Sequence, residues 1–458
     1  MHAIQTIAFA IIVSIIAGPA SADSHSKTKW FKGNTHTHSV WSDGNDFPEM
    51  ITDWYRKSDY QFLVISDHNV LQTSTNRWRS VSSIVSRART KAVMDRYVKR
   101  FGDEWVELRK IPEKPKPTKK PVKENKKETE ARKDVKPEPK YEVRLKTLAE
   151  YRRQFEKPGE FLLMHGEEIS DGYKRLPVHI NAINLKELIP AQRGKSVREV
   201  MMRNLQAVYE QEKKTGQPIL AHLNHPNFGW GVTAEDMAHV TLERFYEVYN
   251  GHPGIRHLGD KNHPTVERLW DIANTIRVAI LNRPPLFGVA TDDSHTYFEK
   301  QNNTPGRGWV MVRAKELSPN ALIMAMRRGQ FYASSGITLR SLDYNRKTGI
   351  LRFEIEPDGD ATFTTRFIGT PVTYDRKSEP IKDSEGRTLR ITHRYSQDVG
   401  KTLAEVKGNV AEFKVTKDNF YVRATITSSK AHHNPSFKGQ MKQAWVQPVG
   451  WELHLDPE

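Results

Sequence analysis

The part of the chain before about Ile337 predicts an α/β fold, a largely parallel sheet closed into a barrel, followed by a smaller β-rich region. Three observations predict it. Strand-like apolar runs alternate with helical patterns, which is how parallel sheets with crossover helices are built. After Ile337 the helical periodicity fades and short β-like runs replace it. Most of the earlier apolar runs end in a polar or acidic residue set, and in a parallel barrel the strand C-termini carry the functional groups.

In order, strands are expected near residues 30–35, 62–66, 161–165, 178–184, 218–222, 245–249 and 286–291. Residues 50–57 read as a short helix, 75–108 as largely helical, and 141–155 and 266–274 as helices. Residues 196–214 read as a helix with Ser196 as N-cap and Glu199 three residues on, the capping-box spacing. Beyond Ile337, residues 350–355, 363–368, 411–415, 420–427 and 444–448 read as the strands of a sandwich or meander. The expected division is a catalytic domain over 30–336 and a β-rich domain over 337–458. His432-His433 reads as a solvated loop pair.

A chain of 458 residues is long enough for two domains with sizeable cores. Its 37% hydrophobic content fits a soluble protein, and residues 4–17 are its one long apolar segment, too short for a confident membrane span. Ala20-Ser21-Ala22 follows as an A-x-A pattern, which predicts a signal peptide over 1–22 and a periplasmic or secreted mature chain without a transmembrane domain. The charge-poor start, with only His2, leaves an uncleaved anchor as the alternative. The absence of cysteine suits an oxidising compartment and excludes thiolate metal sites and disulfides. The net charge of +16 invites a nucleic-acid reading. Much of the excess, however, lies in the Lys-, Pro- and Glu-rich stretch 110–140, which has few apolar residues to pack. It is expected to be disordered, a solvated linker rather than a polyanion-binding arm, and no specific nucleic-acid partner is expected.

The polar sets are of metal-ligand type. They are His36-Thr37-His38 with Ser42-Asp43-Gly44, then Asp67-His68-Asn69, His165-Gly166-Glu167-Glu168, His179-Ile180-Asn181, His222-Leu223-Asn224-His225-Pro226 and Asp292-Asp293-Ser294-His295. Side chains two apart on a strand point the same way, so His36 and His38 can reach one metal, as can Asp293 and His295. Imidazole and carboxylate suit zinc, manganese and iron. Any one set is ordinarily structural, and His222 is the weakest candidate. Six in order make a polynuclear metal site the leading reading.

From about Lys32 to Arg328, the order His-x-His, Ser-Asp-Gly, Asp-His, Gly-x-Glu, His, His-Pro, Asp-x-His resembles the PHP superfamily, named for polymerase and histidinol phosphatase. AHLNHPNFGWGVT over 221–233, EVYNG over 247–251 and residues 308–336 with their ASSG resemble its carbaryl-hydrolase-like branch. The resemblance implies a distorted (β/α)7 PHP barrel with two or three divalent metal ions (Zn, Mn or Fe). Carried onto this sequence, the ligands are His36, His38, Asp43, His68, Glu168, His179, His225, Asp293 and His295. Glu168 rather than Glu167 matches the second position after Gly166, and His225 before Pro226 is preferred to His222. Asp67 is expected to orient a histidine from behind. The Lys-rich insertion departs from the family pattern and enters on the catalytic face, as a lid or a free segment.

Clustered cations imply hydrolysis, with a metal-bound hydroxide formed near neutral pH as nucleophile. Glu168 is the candidate bridging carboxylate, and His225 or His295 the candidate proton donor to the leaving group. Arg307, between Gly306 and Gly308, either meets an anionic substrate or is an ordinary surface arginine. Trp41, Phe228, Trp230 and Tyr297 lie beside predicted ligands, as an apolar substrate wall or as packing at the barrel mouth. The leading function is a metal-dependent phosphoesterase acting on an anionic small molecule. The alternatives are a carbamate, ester or amide hydrolase of the same fold and a non-catalytic envelope-binding protein. A complete ligand set argues against the last.

Overall fold

The computed structural model describes residues 28–112, 140–298 and 302–456. The signal-like segment 1–22 and most of the stretch 110–140 therefore lie outside the described residues.

One mixed sheet of 13 strands organises the chain. They are β1 (Lys29–Asn34), β2 (Phe62–Ile65), β3 (Leu162–Tyr173), β4 (Leu176–Ile183), β5 (Leu220–Leu223), β6 (Phe245–Asn250), β7 (Phe287–Thr291), β8 (Trp309–Ala314), β9 (Phe331–Ser334), β10 (Phe363–Pro371), β11 (Lys401–Lys407), β12 (Asn419–Ala431) and β13 (Met441–Val449). Their order across the sheet is β7-β6-β5-β4-β3-β2-β1-β8-β9-β13-β12-β10-β11.

Parallel pairing joins β1 to β2, β2 to β3, β5 to β6 and β6 to β7. β4 is reversed and antiparallel to both its neighbours. β3 overruns its expected end, and Tyr173 pairs with Leu176 across a two-residue turn in which Lys174 has φ 57°. So short a connection can only make an antiparallel hairpin. No closed sheet forms among the described residues. The chain just past β1 does meet the chain just past β7: Thr37 and Ser294 form a parallel bridge, and Asp293 N–H donates to the His36 carbonyl at 3.0 Å. At the opposite end of these strands Phe31, Phe62, Phe245 and Phe287 pack with Leu322 and Met326 of the helix Pro319–Arg327 into an apolar floor.

The expected helix over 141–155 is a strand, Tyr141–Arg144, and then a helix, Leu148–Phe155. Val143 is buried while Glu142 pairs with Arg109 and Arg144 with Glu107, a period-two pattern with cross-strand charges. The helix starts only where Thr147 and Glu150 form a capping box. Residues 75–108 are likewise broken, into helices Val81–Ala88 and Ala92–Phe101 with strands Trp78–Ser80 and Leu108–Lys110 at either side. Arg89, at φ 55°, ends the first helix. Tyr141–Arg144 lies between those two strands, and Ile111 N–H donates to the Lys140 carbonyl at 2.8 Å, so the two ends of the insertion lie side by side. In the helix Val197–Thr215, Ser196 accepts from Glu199 N–H at 3.1 Å, but the Glu199 carboxylate turns to Lys195 N–H and leaves the box half made.

The main sheet crosses residue 337. β9 pairs with β13 through Tyr332–Val446, Ala333–Trp445 and Ser334–Ala444. A second sheet of Leu339–Asn345, Ile350–Ile355 and Val410–Lys414 packs on this portion through Leu351, Phe353, Phe367 and Ile426. Arg423 of β12 grips Asp271 of the helix Val266–Ala279 with two 2.7 Å bonds. His432 is buried rather than solvated, its Nδ1 accepting from Asn434 N–H at 3.0 Å. No described helix is long and apolar enough to cross a membrane.

Candidate metal centre

Past β1 the chain carries His36 and His38, both fully buried, and then folds back sharply. Gly44 N–H donates to the Ser39 carbonyl at 2.9 Å. A Cβ on Gly44 would lie 2.4 Å from the His38 carbonyl oxygen, so a side chain there would prise the turn open. Asp67 secures the same turn, accepting from Ser39 N–H (2.8 Å), Ser39 Oγ (2.7 Å), Ser42 Oγ (2.6 Å) and Gln72 Nε2 (2.8 Å). The expectation that Asp67 orients a histidine is thus corrected: its oxygens are taken by the two serines and Gln72. Its effect is to hold Asp43 over His38, His68 and His295.

Ligand-type atoms converge in four overlapping groups, each within 4.8 Å: His38–Asp43–His68–His295, His36–His225–Asp293, His36–His38–Glu168 and His68–Glu168–His179. Together they contain the nine residues carried over from the motifs, drawn from six separate segments. Glu168, on β3, is the hub: its oxygens lie 2.7 Å from His68 Nδ1, 3.0 Å from His179 Nδ1 and 3.2 Å from His225 Nε2. Asp293 Oδ1 lies 3.3 Å from His36 Nε2 and 3.1 Å from His38 Nε2. Asp43 Oδ1 lies 3.4 Å from His295 Nε2. His179 sits early in its strand, yet reaches the shared end because β4 runs backwards. His225 and Asp293 both hold left-handed backbone, at φ 24° and 47°. Such strained conformations gather at functional sites.

Neighbouring ionisable residues stay outside the groups. His222 Nε2 lies 3.1 Å from Thr35 Oγ1, and Glu167 accepts from Ile189 N–H at 2.7 Å. Asp292 accepts from Tyr55 Oη (2.6 Å) and from Arg307 N–H (2.6 Å). Arg307 is neither a surface arginine nor a free cation: it is buried, with its guanidinium on the Gly251 carbonyl at 2.8 Å and on Asn434. Of the four aromatic residues, Trp41 is buried in the core, Trp230 stacks on His263 at 3.8 Å, and Tyr297 donates to the His38 carbonyl at 2.8 Å. Phe228 alone of them is exposed at the mouth, with its ring 5.2 Å from His225.

The electrostatics call for positive charge. Burial lowers the His36 pKa, but Asp293, Glu247 and Glu168 overcome it and carry it well above the ordinary value. The Glu168 and Asp43 carboxyls are raised by burial, yet the surrounding histidines hold both below the usual range. His68 is pushed up to about 11 against its burial by Glu168 and Asp43. His38 goes the other way, down to about 4, because burial combines with the repulsion of His295 and His68. Protons on some rings balance charge that a cation would otherwise supply.

The donor set fits such a cation. Glu247, wholly buried, accepts from His36 Nδ1 (2.7 Å) and Thr291 Oγ1 (2.7 Å) on one oxygen, and from His225 N–H (2.8 Å) and Asn250 Nδ2 (2.7 Å) on the other. The Glu247 contact thus takes the proton on His36 Nδ1 and turns Nε2 inward, 3.1 Å from His38 Nε2, where it can give a lone pair to a cation once its own proton is lost. His38 Nδ1 is buried without a hydrogen-bond partner. Inward lone pairs on imidazole and carboxylate match zinc, manganese or iron.

Sequence reasoning missed Glu247, Asn250, Thr291 and also Asn224, whose Nδ2 donates to Glu168 Oε1 at 2.8 Å. An acid within the apolar run Phe-Tyr-Glu-Val-Tyr-Asn was the available signal for Glu247. Also missed were Arg77, Arg79 and Arg87, which donate at 2.7 Å to the carbonyls of Trp41, Ser42 and Asp43. They ring the loop that carries Asp43, and none forms an ion pair with a described carboxylate.

No protein-family model matches the chain, and no curated relative does. Among solved structures, it is similar to a two-domain protein from Bacteroides vulgatus ATCC 8482, described as containing a predicted PHP-like metal-dependent phosphoesterase. The two are 15% identical over 92% of this chain and 95% of that one, with a TM-score of 0.37, a likeness too distant to bear weight.

Proposed function

We propose that the chain is a metal-dependent hydrolase of PHP type, most readily a phosphoesterase. One observation carries this reading: nine ligand-type side chains from six segments converge in four overlapping groups. Glu247 and Asn224 fix the orientation of the inward-facing groups, which a merely structural cluster would not require. The further proposals are a distorted (β/α)7 barrel closed where Thr37 meets Ser294, two or three cations of zinc, manganese or iron, and the nine residues as their ligands.

Divalent cations held there would polarise a water and the scissile oxygen, the chemistry that hydrolysis of a phosphoester needs. Glu168, touching three histidines, is the shared carboxylate. His225 or His295 returns a proton to the leaving group from a ring nitrogen not engaged by metal. Arg77, Arg79 and Arg87 support an anionic substrate, since their carbonyl bonds leave other guanidinium N–H groups open beside Asp43. The exposed ring of Phe228 favours a second reading, hydrolysis of an aryl carbamate or ester, in keeping with the branch resemblance. Export follows from the A-x-A pattern at Ala20–Ala22 and is part of the same proposal.

Metal analysis of the purified protein, with a panel of phosphomonoesters, phosphodiesters and carbamates, tests the reading. Phosphoester turnover that is lost with chelator and restored by manganese or zinc is expected. Carbamate turnover without phosphoester turnover would favour the second reading, and protein without metal or activity would end both.

A further inference from the structure

A cavity of about 530 Å³ opens at the floor end of the strands, away from the candidate metal centre. β1, β7 and β9 bound it on one side, β13 and the strand Leu339–Asn345 on the other. We infer that this cavity is a second binding site, for a small phosphorylated ligand with a planar ring, of nucleoside diphosphate type. The inference is independent of the metal centre.

Charge carries the first part of the argument. Arg244, Arg313, Arg327, Arg328 and Arg346 line the cavity, against Asp343 and Glu452. Arg327 is matched by Glu212 at 2.9 Å and Arg346 by Glu452 at 2.7 Å. Arg244, Arg313 and Arg328 form no ion pair with a described carboxylate. Arg313 donates to the Leu342 carbonyl at 2.7 Å and Arg328 to the Gln330 amide oxygen at 3.2 Å. Arg244 is the most telling: its Nε is buried and has no hydrogen-bond partner. Burial holds its guanidinium below the ordinary pKa and Arg327 adds repulsion, which Tyr209 and Glu243 only partly offset. A partly buried cation with no carboxylate in ion-pair contact leaves donors to satisfy, and a phosphate offers the planar guanidinium fork paired oxygens.

Shape carries the second part. Small-molecule sites typically enclose about 300–1,000 Å³, which this cavity meets. Its walls include the partly exposed rings of Trp30, Tyr344 and Trp451. Trp30 already lies under Arg313 and against Tyr332, but an inorganic anion would leave the Tyr344 and Trp451 rings unused, and a neutral ring would leave the arginines unmatched. A ligand with both parts satisfies both.

The probes are ADP, pyrophosphate and adenosine, titrated calorimetrically into the metal-replete full chain and into its His36→Ala variant. ADP should bind both alike, pyrophosphate at least tenfold more weakly, and adenosine not at all. Hydrogen exchange of the unaltered protein with ADP should show protection over 327–331 and 446–449. Arg244→Gln and the more exposed Arg328→Gln should each weaken ADP binding about tenfold, and Arg328→Gln alone decides if the buried variant does not fold. Binding is the readout, so a failed hydrolase reading leaves the test intact. Absence of ADP binding, loss of it in His36→Ala, pyrophosphate binding as tightly as ADP, or indifference to Arg328→Gln would each overturn the inference.

Discussion

His36 Nδ1 and Glu247 Oε1 lie 2.7 Å apart with both side chains wholly buried, although 211 residues separate them in sequence. The contact fixes which imidazole nitrogen faces the centre, and the other Glu247 oxygen holds the backbone of His225. Replacing Glu247 by glutamine keeps the shape and removes the charge. Metal affinity should fall roughly 10–100-fold, measured by competition with a chelating dye. Unchanged affinity would reduce Glu247 to a packing role.

Substitution of a central donor should be more severe. His36→Ala or Asp293→Ala removes a donor that belongs to one or two of the groups. Hydrolysis should drop about a hundredfold or more, together with metal content. Both quantities are read on the same preparation, and full metal occupancy with full activity would exclude these residues as ligands.

The insertion should be separable from the fold. Lys110 stands opposite Tyr141, so a short turn can join the two strands directly. Each halving of a loop changes its closure free energy by only about 0.6 kcal/mol. Replacing residues 113–139 by a four-residue turn should leave the melting temperature within a few degrees. A large fall would mean that these residues contribute to a core.

Glu243 should give the stability a pH dependence. Burial pushes its carboxyl up to about 8, and Oε2 has no hydrogen-bond partner. A carboxyl whose folded pKa exceeds its unfolded value contributes stability below the unfolded value and loses it as pH rises toward the folded one. The loss should therefore run from the ordinary value of 4.5 to about 8, at up to about 1 kcal/mol per pH unit. Urea melts of the wild type and of Glu243→Gln across this range should diverge, with the variant gaining relative stability at high pH. Parallel curves would show that Glu243 titrates alike in both states.

Export should remove the first 22 residues. Mass spectrometry of protein recovered outside the cytoplasm should find Asp23 as the first residue. An intact N-terminus on soluble cytoplasmic protein would refute export.

The site was legible wherever donors are neighbours in sequence. His36-Thr37-His38 and Asp293-Ser294-His295 announce themselves because strand geometry turns alternate residues the same way. Glu247 carries no such mark: it is one acid in an apolar strand, and only the folded sheet brings it to His36. Arg77, Arg79 and Arg87 were hidden because residues 75–108 read as helix, where the strand Trp78–Ser80 in fact interrupts. The seven N-terminal strands were legible from their apolar runs. The reversal of β4 was not, since it turns on the conformation of Lys174 and Arg175 alone. Nor could any local pattern reveal that β9 pairs with β13, a contact between residues more than a hundred apart.

That last pairing bears on the order in which the protein can be made. Synthesis proceeds from the N-terminus, and β9 leaves the ribosome well before residues 441–449 exist to cover it. Until they emerge, β9 presents an open edge with free N–H and C=O groups, the kind of surface that recruits stray strands. Gln447 of the late strand also supplies both hydrogen bonds, each 2.8 Å, that clasp the backbone of Gly288 in β7. The N-terminal half of the sheet is therefore finished from its far end, after the rest of the chain. A chain whose first-made strands wait on its last-made one cannot lock into its final form until synthesis is nearly complete.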